Sequence, residues 1–226
     1  MVEIIAHRGA SREKLENTRA AFVEAIAQQA DGVELDIHCT SDGQVVVHHD
    51  SHVRDGVGSA VEIAGVTLDR LRQLPLPNGE AIPTLDEVLE ITAGRVTAYV
   101  EVKGFGIERQ LIECLDRHPQ AAVAVHSFDH RTAARVRELR PGTLIGLLSA
   151  SYPVDLEGFI GRVRPEAFLQ QAIMIDEALV QAAQSLGARV IAWTENDPEH
   201  AGLLIRAGVS ALCTDTPGIL RDLLTT

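Results

Sequence analysis

Four short clusters carry the residue types that could do chemistry: His7-Arg8-Gly9, Glu34-Leu35-Asp36, His48-His49-Asp50 and Glu101-Val102-Lys103. Each lies at or just past the end of a run rich in Ile, Val or Ala, and strand ends are where α/β folds place their reactive groups. Glu34 and Asp36 are two apart, so on a strand both point to the same face. Val33, Leu35 and Ile37 occupy the alternate positions and would face a helix layer. Two carboxylates would then share a barrel mouth, where unpaired charge is costly. A hard divalent cation removes that cost, and Mg²⁺ or Ca²⁺ prefers oxygen ligands.

Glu101 and Lys103 repeat the pattern on the run Tyr99-Val100-Glu101-Val102-Lys103. By themselves they are an ion pair at a strand end. Beside Glu34 and Asp36, Glu101 can complete a three-carboxylate site and Lys103 can meet a phosphate oxygen. Arg8 offers a two-pronged grip on phosphate. His7 is the side-chain type most easily poised for proton transfer near neutral pH. His48, His49 and His52 crowd one loop, and a second histidine from it would fit acid–base catalysis on a phosphodiester. The inventory suits metal-assisted cleavage of a phosphate ester.

These residues need a scaffold, and strand and helix signals alternate along the whole chain. Strands are expected at 4–6, 32–37, 44–48, 97–102, 121–126, 143–148, 167–169, 189–193 and 209–213. Asn17 and Thr18 offer a cap for a helix over 18–30 with Phe22 and Ile26 on one face. Thr84-Leu85-Asp86-Glu87 is a capping box. Asp129, Asp176 and Asp197-Pro198 open later helices, and Gly208 closes one. The strand candidates exceed by one the number that a (β/α)8 TIM-type barrel needs. The run at 44–48 follows Asp42-Gly43, a hairpin signal, so it reads as the returning arm of a hairpin after barrel strand two that carries His49 across the mouth. A doubly wound sheet would need a glycine-rich phosphate loop after its first strand, where only Gly9 stands. Residues 1–226 read as one catalytic barrel domain. Residues 51–83, with Gly56, Gly58, Pro75, Pro77, Asn78 and Pro83, read as a loop-rich excursion over its mouth, with a short helix at 67–74.

Composition narrows the partners. Net charge is −12, so nucleic acid and anionic lipid are repelled. No run approaches the roughly 18 apolar residues of a membrane span. Cys39, Cys114 and Cys213 are widely spaced and make no CxxC pair, which reads as free buried thiols. The start of the chain shows no signal-peptide pattern, and a cytoplasmic location is expected.

The ordered set of His7-Arg8-Gly9, Glu16-Asn17-Thr18, Glu34-x-Asp36, Asp42-Gly43, His49-Asp50, Glu101-x-Lys103, Trp193-Thr194-x-Asn196 and Thr214-Asp215-x-Pro217 resembles the glycerophosphodiester phosphodiesterases. The resemblance spans nearly the whole chain. It implies a (β/α)8 barrel with one divalent cation, Mg²⁺ or Ca²⁺, and hydrolysis of a small-molecule glycerophosphodiester to sn-glycerol 3-phosphate and an alcohol. It implies His7 and His49 as acid and base, Glu34, Asp36 and Glu101 as metal ligands, Arg8 and Lys103 as phosphate-binding residues, and Trp193 as a wall of the substrate pocket. Water or the substrate's own glycerol 2-hydroxyl would be the nucleophile. The chain departs from the family where Ser51-His52-Val53-Arg54 replaces an Arg-Thr-Thr-like run, and where Glu195 takes a position that is commonly apolar. Two other readings use the same barrel. A non-catalytic glycerophosphodiester- or metal-binding protein would usually lack an acid or base. A phospholipase D-like lipid phosphodiesterase would show an exposed apolar rim.

Overall fold

The computed structural model describes residues 2–55 and 57–225. Gly56 of the 51–83 stretch lies outside the described residues, as do Met1 and Thr226 at the ends of the domain reading. The strands are β1 (Glu3–Ala6), β2 (Gly32–Cys39), β3 (Val45–Val47), β4 (His52–Arg54), β5 (Ala60–Glu62), β6 (Thr97–Val102), β7 (Val123–Ser127), β8 (Leu144–Ser149), β9 (Ala167–Gln171), β10 (Arg189–Trp193) and β11 (Ala211–Thr214). The helices are α1 (Arg19–Ala27), α2 (Leu68–Arg72), α3 (Leu85–Thr92), α4 (Glu108–Arg117), α5 (His130–Leu139), α6 (Leu156–Ile160), α7 (Glu177–Ser185), α8 (Pro198–Ala207) and α9 (Pro217–Thr225).

Strands β1, β2, β6, β7, β8, β9, β10 and β11 pair in that order, all parallel, and β11 returns to β1 to close the ring. This is the (β/α)8 barrel. Strand β3 stays outside it, pairing antiparallel with β2 through Ile37↔Val47 and Cys39↔Val45. The hairpin reading of that run is therefore correct, and it returns the chain toward the mouth at His49.

Parallel strands covered on both faces need apolar side chains on the helix side. Val33, Leu35 and Ile37 of β2 supply them and belong to the large core between ring and helices, with Phe22, Leu111 and Phe168. Each such side chain, fully buried, contributes roughly 1.5–3 kcal/mol. A smaller lumen core contains Ile5, Leu169, Ile191 and Cys213. The expected caps form. Thr18 accepts from Ala21 N at 3.2 Å, and Thr84 and Glu87 close a full capping box on α3. Helix α1 is shorter than expected, because Gln29 turns left-handed at φ 60°. Its inner face is Ala21, Phe22 and Ala25, with Ile26 only half-buried.

Residues 51–83 are more ordered than their composition suggests. Strands β4 and β5 form a hairpin of their own, and α2 follows. Val53, Ile63, Leu71, Leu74, Leu76 and Ile82 pack with Val46 of β3 in a separate small core. The three cysteines are free and buried. Among the described residues no helix is long and apolar enough to cross a membrane.

Candidate active site

His7, Arg8, Glu34, His49, Glu101 and Lys103 line one cavity of about 120 Å³ at the C-terminal ends of the strands. Trp193 and Phe128 form part of its apolar wall, with ring centroids 5.4 Å apart in an edge-to-face contact. The cavity opens beside a broad groove bordered by His49, Lys103, Phe105 and Phe128, and by His52 and Ala60 of the β4–β5 hairpin.

The first turn after β1 is tightly specified. Gly9 N donates to the Ala6 carbonyl at 3.1 Å, and Arg8 takes φ 56°, a conformation uncommon outside glycine. Gly9 is also left-handed, at φ 82°, and a Cβ there would lie 2.6 Å from the Ala21 backbone. The turn aims the Arg8 N–H at Glu34 Oε2, 3.1 Å away. Glu16-Asn17-Thr18 then acquires distinct tasks. Glu16 accepts from Arg8 Nη1 at 3.1 Å, Asn17 Nδ2 donates to Asp36 Oδ2 at 2.8 Å, and Thr18 caps α1.

Glu34, Asp36 and Glu101 are all buried, and strand register sets Asp36 beside Glu101. Lys103 Nζ lies 3.1 Å from Glu101 Oε1 and 3.5 Å from Asp36 Oδ1. Arg8 Nε lies 3.2 Å from Asp36 Oδ2. Even so, Asp36 Oδ1 and Arg8 Nε have no well-formed hydrogen bond. Burial and the neighbouring Glu34 and Glu101 charges push the Asp36 carboxyl up to about 7, against the pull of Arg8 and Lys103. Burial would also raise Glu34, but the imidazoles of His126 and His7 together with Arg8 hold it below its usual range.

Each candidate catalytic histidine is backed by a carboxylate. His7 Nδ1 meets Asp215 Oδ1 at 2.7 Å, and Asp215 is fixed by Asn196 Nδ2 at 2.7 Å and Ser11 Oγ at 3.2 Å. His49 Nδ1 meets Asp50 Oδ1 at 2.7 Å. The shifts oppose each other. Burial works to lower His7, yet the Asp215 hydrogen bond and Glu34 raise it. Burial and the Arg8 and Lys103 charges lower His49 despite Asp50.

Three things were missing from the sequence reading. His126, buried at the end of β7, forms with Glu34 and Glu101 a group whose possible ligand atoms all lie within 4.8 Å of one another, while Asp36 turns to Arg8, Lys103 and Asn17. Asp215 and Asn196 appeared only as motif letters, without a task. The apolar rim, too, was not visible from sequence: Phe105, Tyr152, Val154 and Ile173 stand exposed in the loops after β6, β8 and β9. Glu195 turns away from the cavity toward His200 and the first turn of α8. A second grouping, Asp86, Cys114 and His118, lies between α3 and α4, but Arg117 already binds both Asp86 oxygens there at 3.0 and 2.7 Å.

The model of the glycerophosphoryl diester phosphodiesterase family matches residues 7–219. The chain belongs to that family. As a member it is an enzyme, a phosphoric diester hydrolase of the glycerophosphodiester phosphodiesterase class. A glycerophosphodiester phosphodiesterase of Caldanaerobacter subterraneus subsp. tengcongensis is 32% identical, with 98% of this chain and 97% of the relative covered. Among solved structures, a phosphodiesterase of Oleispira antarctica in complex with the product sn-glycerol-3-phosphate superposes with TM-score 0.92 at 25% identity, covering 99% of this chain and 97% of that one. A glycerophosphodiester phosphodiesterase of Thermotoga maritima superposes with TM-score 0.85 at 29% identity, covering 99% and 98%.

Proposed function

We propose that the cavity at the barrel mouth hydrolyses glycerophosphodiesters to sn-glycerol 3-phosphate and an alcohol, with a divalent cation and two-histidine acid–base catalysis. One observation carries the reading. Two buried carboxylates, Glu34 and Glu101, two cations and two carboxylate-backed imidazoles line one small cavity, and beside Glu101 the buried Asp36 Oδ1 is left without a hydrogen-bond partner. Buried charge left in that state fits a site completed by a cation.

Glu34, Asp36 and Glu101 would hold that cation. When bound, it would polarise the phosphoryl oxygens and stabilise the charge that builds on them. Arg8 and Lys103 take the non-bridging oxygens, and their own carboxylate contacts keep both side chains in place before substrate arrives. One imidazole removes a proton from the nucleophile, and the other returns one to the departing alcohol. The opposite shifts at His7 and His49 separate them into a readier donor and a readier acceptor. Asp215 and Asp50 fix the ring orientations. Trp193 walls the pocket, its ring held by the Nε1 bond to the Leu169 carbonyl at 3.0 Å. A second reading, a lipid-bearing phosphodiester, draws support from the exposed rim of Phe105, Val154 and Ile173.

The test is release of glycerol 3-phosphate from glycerophosphocholine and glycerophosphoethanolamine with Mg²⁺, with Ca²⁺ and with EDTA. The expected result is cation-dependent release, abolished in His7→Ala and Glu34→Ala. Release that persists in EDTA or in either variant would overturn this assignment.

A further inference from the structure

Strand β7 enters the site at His126, one ring position beyond Glu101 in strand register. Its imidazole is 2% exposed, and Nε2 stops 3.9 Å from Glu34 Oε1, too far for a hydrogen bond. On the next strand Gly146 lets Leu169 pack close to this position, since a Cβ there would lie 2.3 Å from Leu169 Cδ1 and 3.4 Å from the His126 Cβ. A buried imidazole held just beyond hydrogen-bond reach of one carboxylate, and grouped with a second, has the spacing of ligands around an ion. Asp36 keeps one oxygen open toward such an ion: Oδ2 accepts from Asn17 and faces Arg8, while Oδ1 has no hydrogen bond and Lys103 Nζ stops 3.5 Å from it.

We propose that His126 is a nitrogen ligand of the cation held by Glu34 and Glu101, so that the site prefers first-row transition cations such as Mn²⁺ or Co²⁺ over Mg²⁺ or Ca²⁺. The chemistry follows from the donor set. All-oxygen sites suit Mg²⁺ and Ca²⁺, whereas imidazole favours transition metals, and affinity for Co²⁺ exceeds that for Mn²⁺ at a given nitrogen–oxygen site. The inference rests on the cation reading above and sharpens the Mg²⁺-or-Ca²⁺ expectation drawn from the resemblance.

Calorimetric titration of the full chain with Co²⁺, Mn²⁺, Mg²⁺ and Ca²⁺ tests it, run on wild type, His126→Gln and Glu34→Gln. Wild type should bind Co²⁺ at least about tenfold tighter than Mg²⁺. His126→Gln should lose about 10–100-fold toward Co²⁺ while its Mg²⁺ affinity moves less than about threefold. Electron spin-echo spectra of the Mn²⁺ complex give a direct readout. Nitrogen-14 coupling should appear in wild type, survive in His7→Gln and vanish in His126→Gln. A wild-type complex without nitrogen coupling overturns the proposal even if the variant fails to fold. If Glu34→Gln still abolishes binding in that case, the carboxylate cation site stands and only the imidazole ligand falls. If Glu34→Gln binds every cation as wild type does, the cation site itself is wrong and this proposal falls with it.

Discussion

At the N-terminal end of the barrel, Glu3, Tyr99 and Arg189 satisfy one another completely. The Tyr99 hydroxyl donates to Glu3 at 2.7 Å, and Arg189 donates to Glu3 at 2.8 Å and to the Tyr99 oxygen at 2.6 Å. At the C-terminal end, Glu34, Asp36 and Glu101 crowd together, and Asp36 Oδ1 and Arg8 Nε lack hydrogen-bond partners. Both ends draw on β1 and β6, which carry Glu3 and Tyr99 at one end and lead to Arg8 and Glu101 at the other, so those strands do not decide the difference. What differs is completeness. Charge that closes on itself holds a fold, whereas charge left open under a cavity waits for a ligand.

The sharpest way to break this comparison is to neutralise one group at each end. Glu34→Gln should lower kcat by about a thousandfold or more, since the proposed cation, which would stabilise transition-state charge, loses a ligand. Arg189→Met should leave kcat within about twofold, because nothing it touches reaches the cavity. Initial rates at saturating diester decide the matter, and equal losses would erase the distinction between the ends.

Next in size are the histidines. His7→Ala and His49→Ala should each cost about 10²–10⁴ in kcat. Asp215→Asn keeps the ring in place but removes its carboxylate, and should cost about 10–100-fold. A loss confined to KM would show that Asp215 shapes binding rather than the imidazole.

Smaller effects fall on stability, with opposite signs. Tyr99→Phe removes a buried donor and acceptor and should destabilise by about 1–1.5 kcal/mol, or roughly 2–6 °C in thermal midpoint. Asp36→Asn should do the reverse in EDTA. The folded Asp36 carboxyl keeps its proton up to about 7, above the ordinary carboxylate range. Stability contributed by this position therefore falls as pH rises from near 4 to about 7 and stays low above it. The Asn variant should melt a few degrees higher than wild type at pH 8 and no higher at pH 4, by calorimetry. A lower midpoint at pH 8 would mean that Arg8 and Lys103 fully compensate the charge.

The legible part of this molecule is the part written in neighbouring residues. Alternation in 33–37 placed Glu34 and Asp36 on the lumen face, and the capping residues fixed helix starts at Thr18, Thr84, Asp129, Asp176 and Asp197. Partnerships made by ring closure were not legible. His7 and Asp215 are 208 residues apart and meet only because β11 pairs with β1. His126 carries no local signal, standing as a lone histidine between Val125 and Ser127 in a short strand with no charged neighbour. The β4–β5 hairpin has runs of three residues, too short for a period to emerge.

The most direct measurement is an anomalous difference map from crystals grown with Mn²⁺ and sn-glycerol 3-phosphate. The expected map has one strong peak within coordination distance of Glu34 and Glu101, with phosphate against Arg8 and Lys103. A peak only at Asp86, Cys114 and His118, or phosphate seated away from Arg8, would contradict it.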